Sequence, residues 1–289
     1  MALNRRIYSS QSLTVPELGV IPIKSVSISR ERPMEPLMVM GHLKGADQQQ
    51  KGFETFKVDV KTYLTSTMTD AQIKTLFTNT EKGVPSPIEL KTEGGTSSFK
   101  GNVVLTSISI DSTVADFIEV GLSFQGLGNP EIKVDGNMTP VDHKTAPVAG
   151  VVVLDSSSIG STIDTYGSTI KSLKFSFEMP VETMTNHKET MVGNSTAVMS
   201  ATTSTLIGKA PYKSSLNLEG QSLINYKGLI TDRGSNLVMV TVGAVNLTLV
   251  NAALKSFSIN QSPGEIGAAY SSSYEGTHVG QFSSITAYL

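Results

Sequence analysis

The chain contains no cysteine and no tryptophan, and it carries little charge. Without thiols, no disulfide can staple the fold and no thiolate can hold zinc or an iron–sulfur cluster. This fits assembly in a reducing cytoplasm. Charged residues make up 17% of the chain, against about 25% in typical globular proteins. The formal net charge of −2 leaves no cationic excess for a stripe that would grip a phosphate backbone. Aromatics are only 6%, which argues against stacking platforms for sugars. No run approaches the ~20 apolar residues of a transmembrane helix; the longest, residues 146–154, is broken by Pro147 and Gly150. Arg5 and Arg6 have no apolar stretch behind them, so neither a secretory signal nor a membrane partner is expected.

Serine, threonine, glycine and valine are abundant instead, a composition suited to half-exposed strands. The chain also says nearly the same thing twice. IKSVSIS at 23–29 is answered by IKSLKFS at 170–176, TSISID at 106–111 by KSFSIN at 255–260, and GLSFQG at 121–126 by SSSYEG at 271–276. The offsets are 147, 149 and 150 residues, in one order along the chain. This spacing predicts a tandem duplication of a unit of about 145 residues, and 289 residues leave room for two domains. The expected division is an N-terminal arm over 1–22, a first domain over 23–130, a linker over 131–169 and a second domain over 170–289.

Period-two alternation predicts strands at 23–30, 56–64, 88–92, 101–110 and 117–124, with Gly94 and Gly95 as the hairpin turn between 88–92 and 101–110, and again at 170–178, 212–218, 254–260 and 267–274, with a hairpin over 236–250 around Gly243 or Ala244. A further strand is expected at 148–154. In the first unit Thr69 or Ser66 caps a short helix over 69–80, stopped by Lys82 and Gly83; its counterpart is expected over 222–231. Residues 41–52 and 191–210 read as long polar loops, and Pro16, Gly19 and Pro22 break up the N-terminal arm. The fold class is therefore mainly β (α+β), two like sandwich or half-barrel domains with one short helix each.

The residues point to no chemistry. His42, His143, His187 and His278 lack the neighbours that would complete a metal cage. There is no GxSxG, and neither FQGLGNP nor EGGTSS has the helix or lysine of a phosphate loop. No enzyme is expected, with no catalytic, cofactor-binding or metal residues and no cofactor. Isolated carboxylates do recur on the strand segments: Asp59, Glu89, Glu93, Asp111, Asp116 and Glu119, then Glu178, Glu182 and Glu219. Lining a channel, they would keep a polyanion from adhering to the wall.

A strand ending in Arg30-Glu31, a long polar loop, a sheet carrying one short helix, and repetition of the whole resemble the tail tube proteins of long-tailed bacteriophages. The resemblance is carried by VSISRERPMEPLMVMG at 26–41, TDAQIKTLF at 69–77 and SISIDSTVADFIEVGLSFQG at 107–126; the second unit has Phe177-Glu178 near the Arg-Glu position. It implies a structural subunit of the virion tail, made in the host cytoplasm. Its sheets would join between subunits into a barrel around a lumen for genome passage. Rings would stack through the two long loops and the arm. Tape-measure, terminator and baseplate or tip proteins would be the partners. Because such rings resemble six single domains, two domains per chain imply a pseudo-hexameric homotrimer, with a hexamer as the other arrangement. The inner tube of a bacterial contractile injection system is a related alternative, and a tandem β-sandwich adhesin a more distant one.

Overall fold

The computed structural model describes residues 7–9, 11–32, 34–36, 48–50, 53–65, 68–92, 97–113, 116–128, 130–132, 141–143, 152–154, 169–192, 196–222, 237–242, 245–250, 253–260 and 268–278. Among them the chain is mainly β, with antiparallel pairing throughout and one helix. The strands begin with β1 (Ile7–Ser9), β2 (Gln11–Val15), β3 (Gly19–Pro22), β4 (Ser25–Glu31), β5 (Met34–Pro36), β6 (Gln48–Gln50) and β7 (Thr55–Tyr63). Helix α1 (Asp70–Glu81) precedes β8 (Ser86–Thr92), β9 (Ser97–Thr113), β10 (Glu119–Leu127), β11 (Glu131–Ile132), β12 (Val141–His143) and β13 (Val152–Leu154). Then follow β14 (Thr169–Glu178), β15 (Val181–Val192), β16 (Thr196–Gly208) and β17 (Tyr212–Ser222). The last are β18 (Leu237–Val242), β19 (Val245–Val250), β20 (Ala253–Asn260) and β21 (Ala268–His278).

The central sheet runs β20-β21-β17-β14-β9-β10-β7-β4. Four strands from the second part of the chain are thus followed, without a break, by four from the first. In each block of four the strands bearing the matched strings occupy the same places, β9-β10-β7-β4 and β20-β21-β17-β14. The strings also lock in one register: Ser109 faces Gly121 and Ser107 faces Ser123, while Ser258 faces Ser271 and Ser256 faces Ser273. Both blocks carry a bulge at the same point of the match, skipping Thr106 in β9 and Lys255 in β20, and the second block has a further one at Lys171 in β14. The seam between blocks is β14 on β9, with Phe175 opposite Ile110 and Phe177 opposite Ile108.

β9 belongs to two layers. Its C-terminal part lies between β10 and β14, and its N-terminal part between β11 and β8. β8 carries β2, and β2 carries β3, folding a second layer over the first. Helix α1 packs against β9, with Ile73, Leu76 and Phe77 buried. Gln72 Oε1 accepts the Thr69 N–H at 2.9 Å, one half of a capping box. Past its end, Gly83 has φ +68°, and a Cβ there would lie 2.9 Å from Ile207, so the helix stops against β16. Helix α1 also sits across the seam: Phe77 meets the Phe177 ring edge-on at 4.7 Å, and Tyr212 donates to Glu81 at 3.1 Å. One apolar cluster runs from Leu13 to Leu249.

Three expectations change. Residues 11–22 are not an arm: β2 and β3 form a hairpin whose Leu13, Val15, Leu18 and Ile21 are 0–4% exposed. Pro16 and Gly19 (φ +77°) make its turn. Residues 191–210 are largely strand, since β15 and β16 pair over nearly their whole length. The β-branched residues of TAVMSATTSTLIG favour extended backbone over the loop its hydroxyls suggested. The expected strand at 101–110 lengthens to all of β9. Most of the polar segment 41–52, the turn at Gly94 and Gly95, and the second helix over 222–231 lie outside the described residues, apart from β6 and Ser222.

Gly126 in β10 makes the tightest approach in the core. A Cβ there would fall 2.1 Å from Phe56 Cζ and 2.6 Å from the Asn102 carbonyl oxygen. Gly126→Ala should therefore destabilise the protein by about 1–3 kcal/mol. Thermal unfolding checks this, and an unchanged Tm would show that Phe56 does not pack there.

Candidate assembly surface

Alternation divides the central sheet into two faces. One is apolar and covered: Val58, Val60, Ile108, Ile110, Val120, Leu122, Phe124, Leu173, Phe175, Leu216 and Leu218 are buried on it. The other is polar and solvent-facing, and antiparallel pairing lines its residues up in rows across the seven strands from β21 to β4. One row runs Thr277, Lys213, Glu178, Ser107, Ser123, Asp59, Ser27. The next runs Glu275, Ser215, Ser176, Ser109, Gly121, Lys61, Ser25. Small hydroxyls dominate. Ser176 and Ser215 hydrogen-bond at 2.7 Å, as do Ser258 and Ser271, and Ser172 donates to Glu219 at 3.1 Å.

Of the carboxylates singled out in the sequence, Asp59, Asp111, Glu119, Glu178 and Glu219 share this face. Glu89 does not: it sits on β8 between Lys91 and Lys100, at 3.1 and 3.2 Å. Glu182, the second residue of β15, pairs with Lys209, and Asp116 lies in the turn before β10. Glu93 lies outside the described residues. Sequence reasoning singled out Glu31 only within the Arg-Glu motif and missed Glu275 and the lysines Lys57, Lys61, Lys174 and Lys213, although all fall in the same alternation phase. These cations change the electrostatics. Lys174 meets Asp111 across the seam at 3.0 Å, and Lys24 pairs with Glu119 beside the Tyr63 ring. The Glu119 carboxylate holds the Lys24 ammonium above its ordinary pKa. The face is thus close to charge-balanced, a hydroxyl surface with paired ions in place of a uniformly anionic wall.

The edges of the sheet differ from its middle. β4 and β20 each have a neighbour on one side only among the described residues. On β4, Arg30 reaches back to Glu54, just ahead of β7, and this bond depresses the Glu54 pKa while raising that of Arg30. A carboxylate with a depressed folded pKa adds stability above its unfolded value of about 4.3, and that gain disappears as pH falls through the folded value. Replacing Glu54 by Gln should therefore leave a stability difference from the parent that is constant at neutral pH and shrinks below about pH 4. Melting curves of both proteins across pH 2–7 (roughly the range that brackets the carboxylates) check this. A difference that does not change with pH would exclude the ion pair.

Among the described residues no group of three or more His, Asp or Glu side chains is placed to hold a metal ion, and no helix is long and apolar enough to cross a membrane. His278 stacks on Tyr212 at 6.2 Å between centroids, while the side chains of the other three histidines lie outside the described residues. An open cleft of about 600 Å³ lies between β2, β8 and β11 and is lined by Pro87, Glu89, Lys100 and Pro130. The chain matches no protein-family model, and no curated protein matches it either.

Proposed function

We propose that this protein is a structural subunit of a phage tail tube, closing into rings that stack around a channel for the genome. One observation carries the reading: two like blocks of four strands are joined head to tail, and the sheet ends in two unlike edges, β4 and β20. A head-to-tail repeat with unlike ends propagates, and it closes into a ring when the rotation per unit divides a full turn. In a lone subunit such edges invite uncontrolled pairing; in a ring they become the joints. The repeated order, register and bulge support a duplicated unit, so that three chains present six blocks. The barrel would then have twenty-four strands, three times the eight of one chain. Strand spacing and a tilt of 35–45° set its backbone diameter at roughly 45–50 Å, wider than a DNA duplex even after side chains line it.

The serine-rich face is the one left for the lumen, because helix α1 and the second layer occupy the other. Its balanced charge gives a polyanion little to adhere to, and hydroxyls exchange hydrogen bonds readily with water. Binding of DNA would be weak, and with few phosphates neutralised its dependence on salt would be shallow. In the virion tail, such a tube would meet tape-measure protein within and terminator and tip proteins at its ends.

Electron microscopy of the purified protein, with native mass spectrometry of its rings, tests this. Hollow tubes built from three-chain rings are expected. Six chains per ring would remove the pseudo-hexameric trimer, and monomers at every concentration would sink the tube reading.

A further inference from the structure

The seam inside the chain is a template for the joint between chains. Moving β14 back by 147 residues lands on β4, and moving β9 forward by 149 lands on β20. The seam's pairs then acquire counterparts. Phe175 with Ile110 becomes Ile28 with Ile259, and Ser176 with Ser109 becomes Ser29 with Ser258. Phe177 with Ile108 becomes Arg30 with Phe257, and Glu178 with Ser107 becomes Glu31 with Ser256. Lys174 with Asp111 becomes Ser27 with Asn260.

We infer that β20 of a second copy of this chain pairs antiparallel with β4, in this register; the inference rests on the ring reading above and specifies its joint. Burial supports it. At the seam Phe175, Ile108 and Ile110 are at most 1% exposed, whereas Ile28 is 37% exposed and Phe257 and Ile259 are only half-buried. The same positions of the match are therefore finished in the middle of the sheet and unfinished at its ends. Chemistry supports it too. The Ser–Ser and Glu–Ser pairs recur unchanged, an aliphatic pair replaces an aromatic–aliphatic one, and Arg30 meets the Phe257 ring, a cation–aromatic contact. The ion pair of the seam has become a neutral Ser–Asn pair, so the joint between chains should respond less to salt than one closed by Lys174 and Asp111. Within one chain β4 and β20 are the two ends of the sheet and do not pair with each other, so both edges are left for other copies.

The absence of native cysteine makes the test clean. Ser29→Cys combined with Ser258→Cys places directly opposed thiols within disulfide range across the joint. Both sites are exposed, so the variant should fold. Oxidation should give disulfide-linked oligomers that stop at a closed ring. The pair slipped by two residues, Ser29→Cys with Ser256→Cys, should link at least tenfold less. Preferential linkage of the slipped pair would overturn the register. If the parent forms rings by native mass spectrometry but neither pair links, the joint is wrong and the ring reading stands. If the parent stays monomeric and neither pair links, both fall.

Discussion

A chain lacking residues 1–22 should not fold. The deletion takes away Leu13, Val15, Leu18 and Ile21, all within 4% of complete burial, and uncovers the edge of β8 that β2 pairs. Truncating one such side chain typically costs about 2–5 kcal/mol, so four cost about 8–20 kcal/mol. Whole domains are stable by only about 5–15 kcal/mol. It also strands Glu17's partners: Glu17 accepts hydrogen bonds from Ser86 at 2.7 Å and Asn79 at 3.1 Å, tying the hairpin turn to the helix end. Removing only residues 1–6 touches none of these contacts. Circular dichroism and a cooperative melt distinguish the two truncations. A folded protein after removal of 1–22 would show that the hairpin is the detachable arm its sequence first suggests.

The second large effect concerns assembly and leaves the fold alone. Ile28→Lys should give a soluble monomer with the parent's melting behaviour and no rings or tubes. In the lone subunit Ile28 is already 37% exposed at the edge, so a lysine there can keep its ammonium in water. In a joint opposite Ile259 it cannot. The joint loses about 1.5–3 kcal/mol of apolar burial and takes on a desolvation cost of several kcal/mol. At 1.4 kcal/mol per factor of ten, that weakens each joint at least about a thousandfold. Natural edge strands use inward-pointing charge to the same end. Analytical ultracentrifugation reads the result, and tubes from the Ile28→Lys protein would place the joint elsewhere.

Much of the strand framework was legible because its covered face is strictly alternating. In β7, Phe56, Val58 and Val60 are buried between Lys57, Asp59 and Lys61, and period two leaves little choice there. The helix was equally plain, with Thr69 before it and Gly83 after it. The hairpin over 11–22 is masked in the sequence by Pro16, Gly19 and Pro22, which interrupt the pattern, although Leu13 and Val15 already alternate. In β16 the run of threonines looked like a loop, and only a partner strand could reveal otherwise. The candidate surface was half legible. Its carboxylates stand out as isolated charges, whereas the lysines that offset them share their phase and become neighbours only through strand pairing. What the sequence could not convey is which strands neighbour each other at the seam. β9 and β14 are separated by a long stretch of chain, and no local pattern in either specifies the other.

That separation bears on how the protein is made. When β9 leaves the ribosome, β10 can close one side of it at once, since only the short turn around Asp116 intervenes. Its other side must wait for β14, which ends sixty-five residues beyond Thr113. At a synthesis rate of about 5–20 residues per second, the wait is roughly 3–13 s. Throughout it, Ile108 and Ile110 stand at an open edge that accepts the same antiparallel partner from any chain. Neighbouring ribosomes on one message therefore supply a competitor for every seam: a β14 from the adjacent nascent chain fits as well as the chain's own. Exchange of whole C-terminal blocks between nascent chains is the misassembly this topology invites, and slowing translation between 114 and 168 should raise its yield.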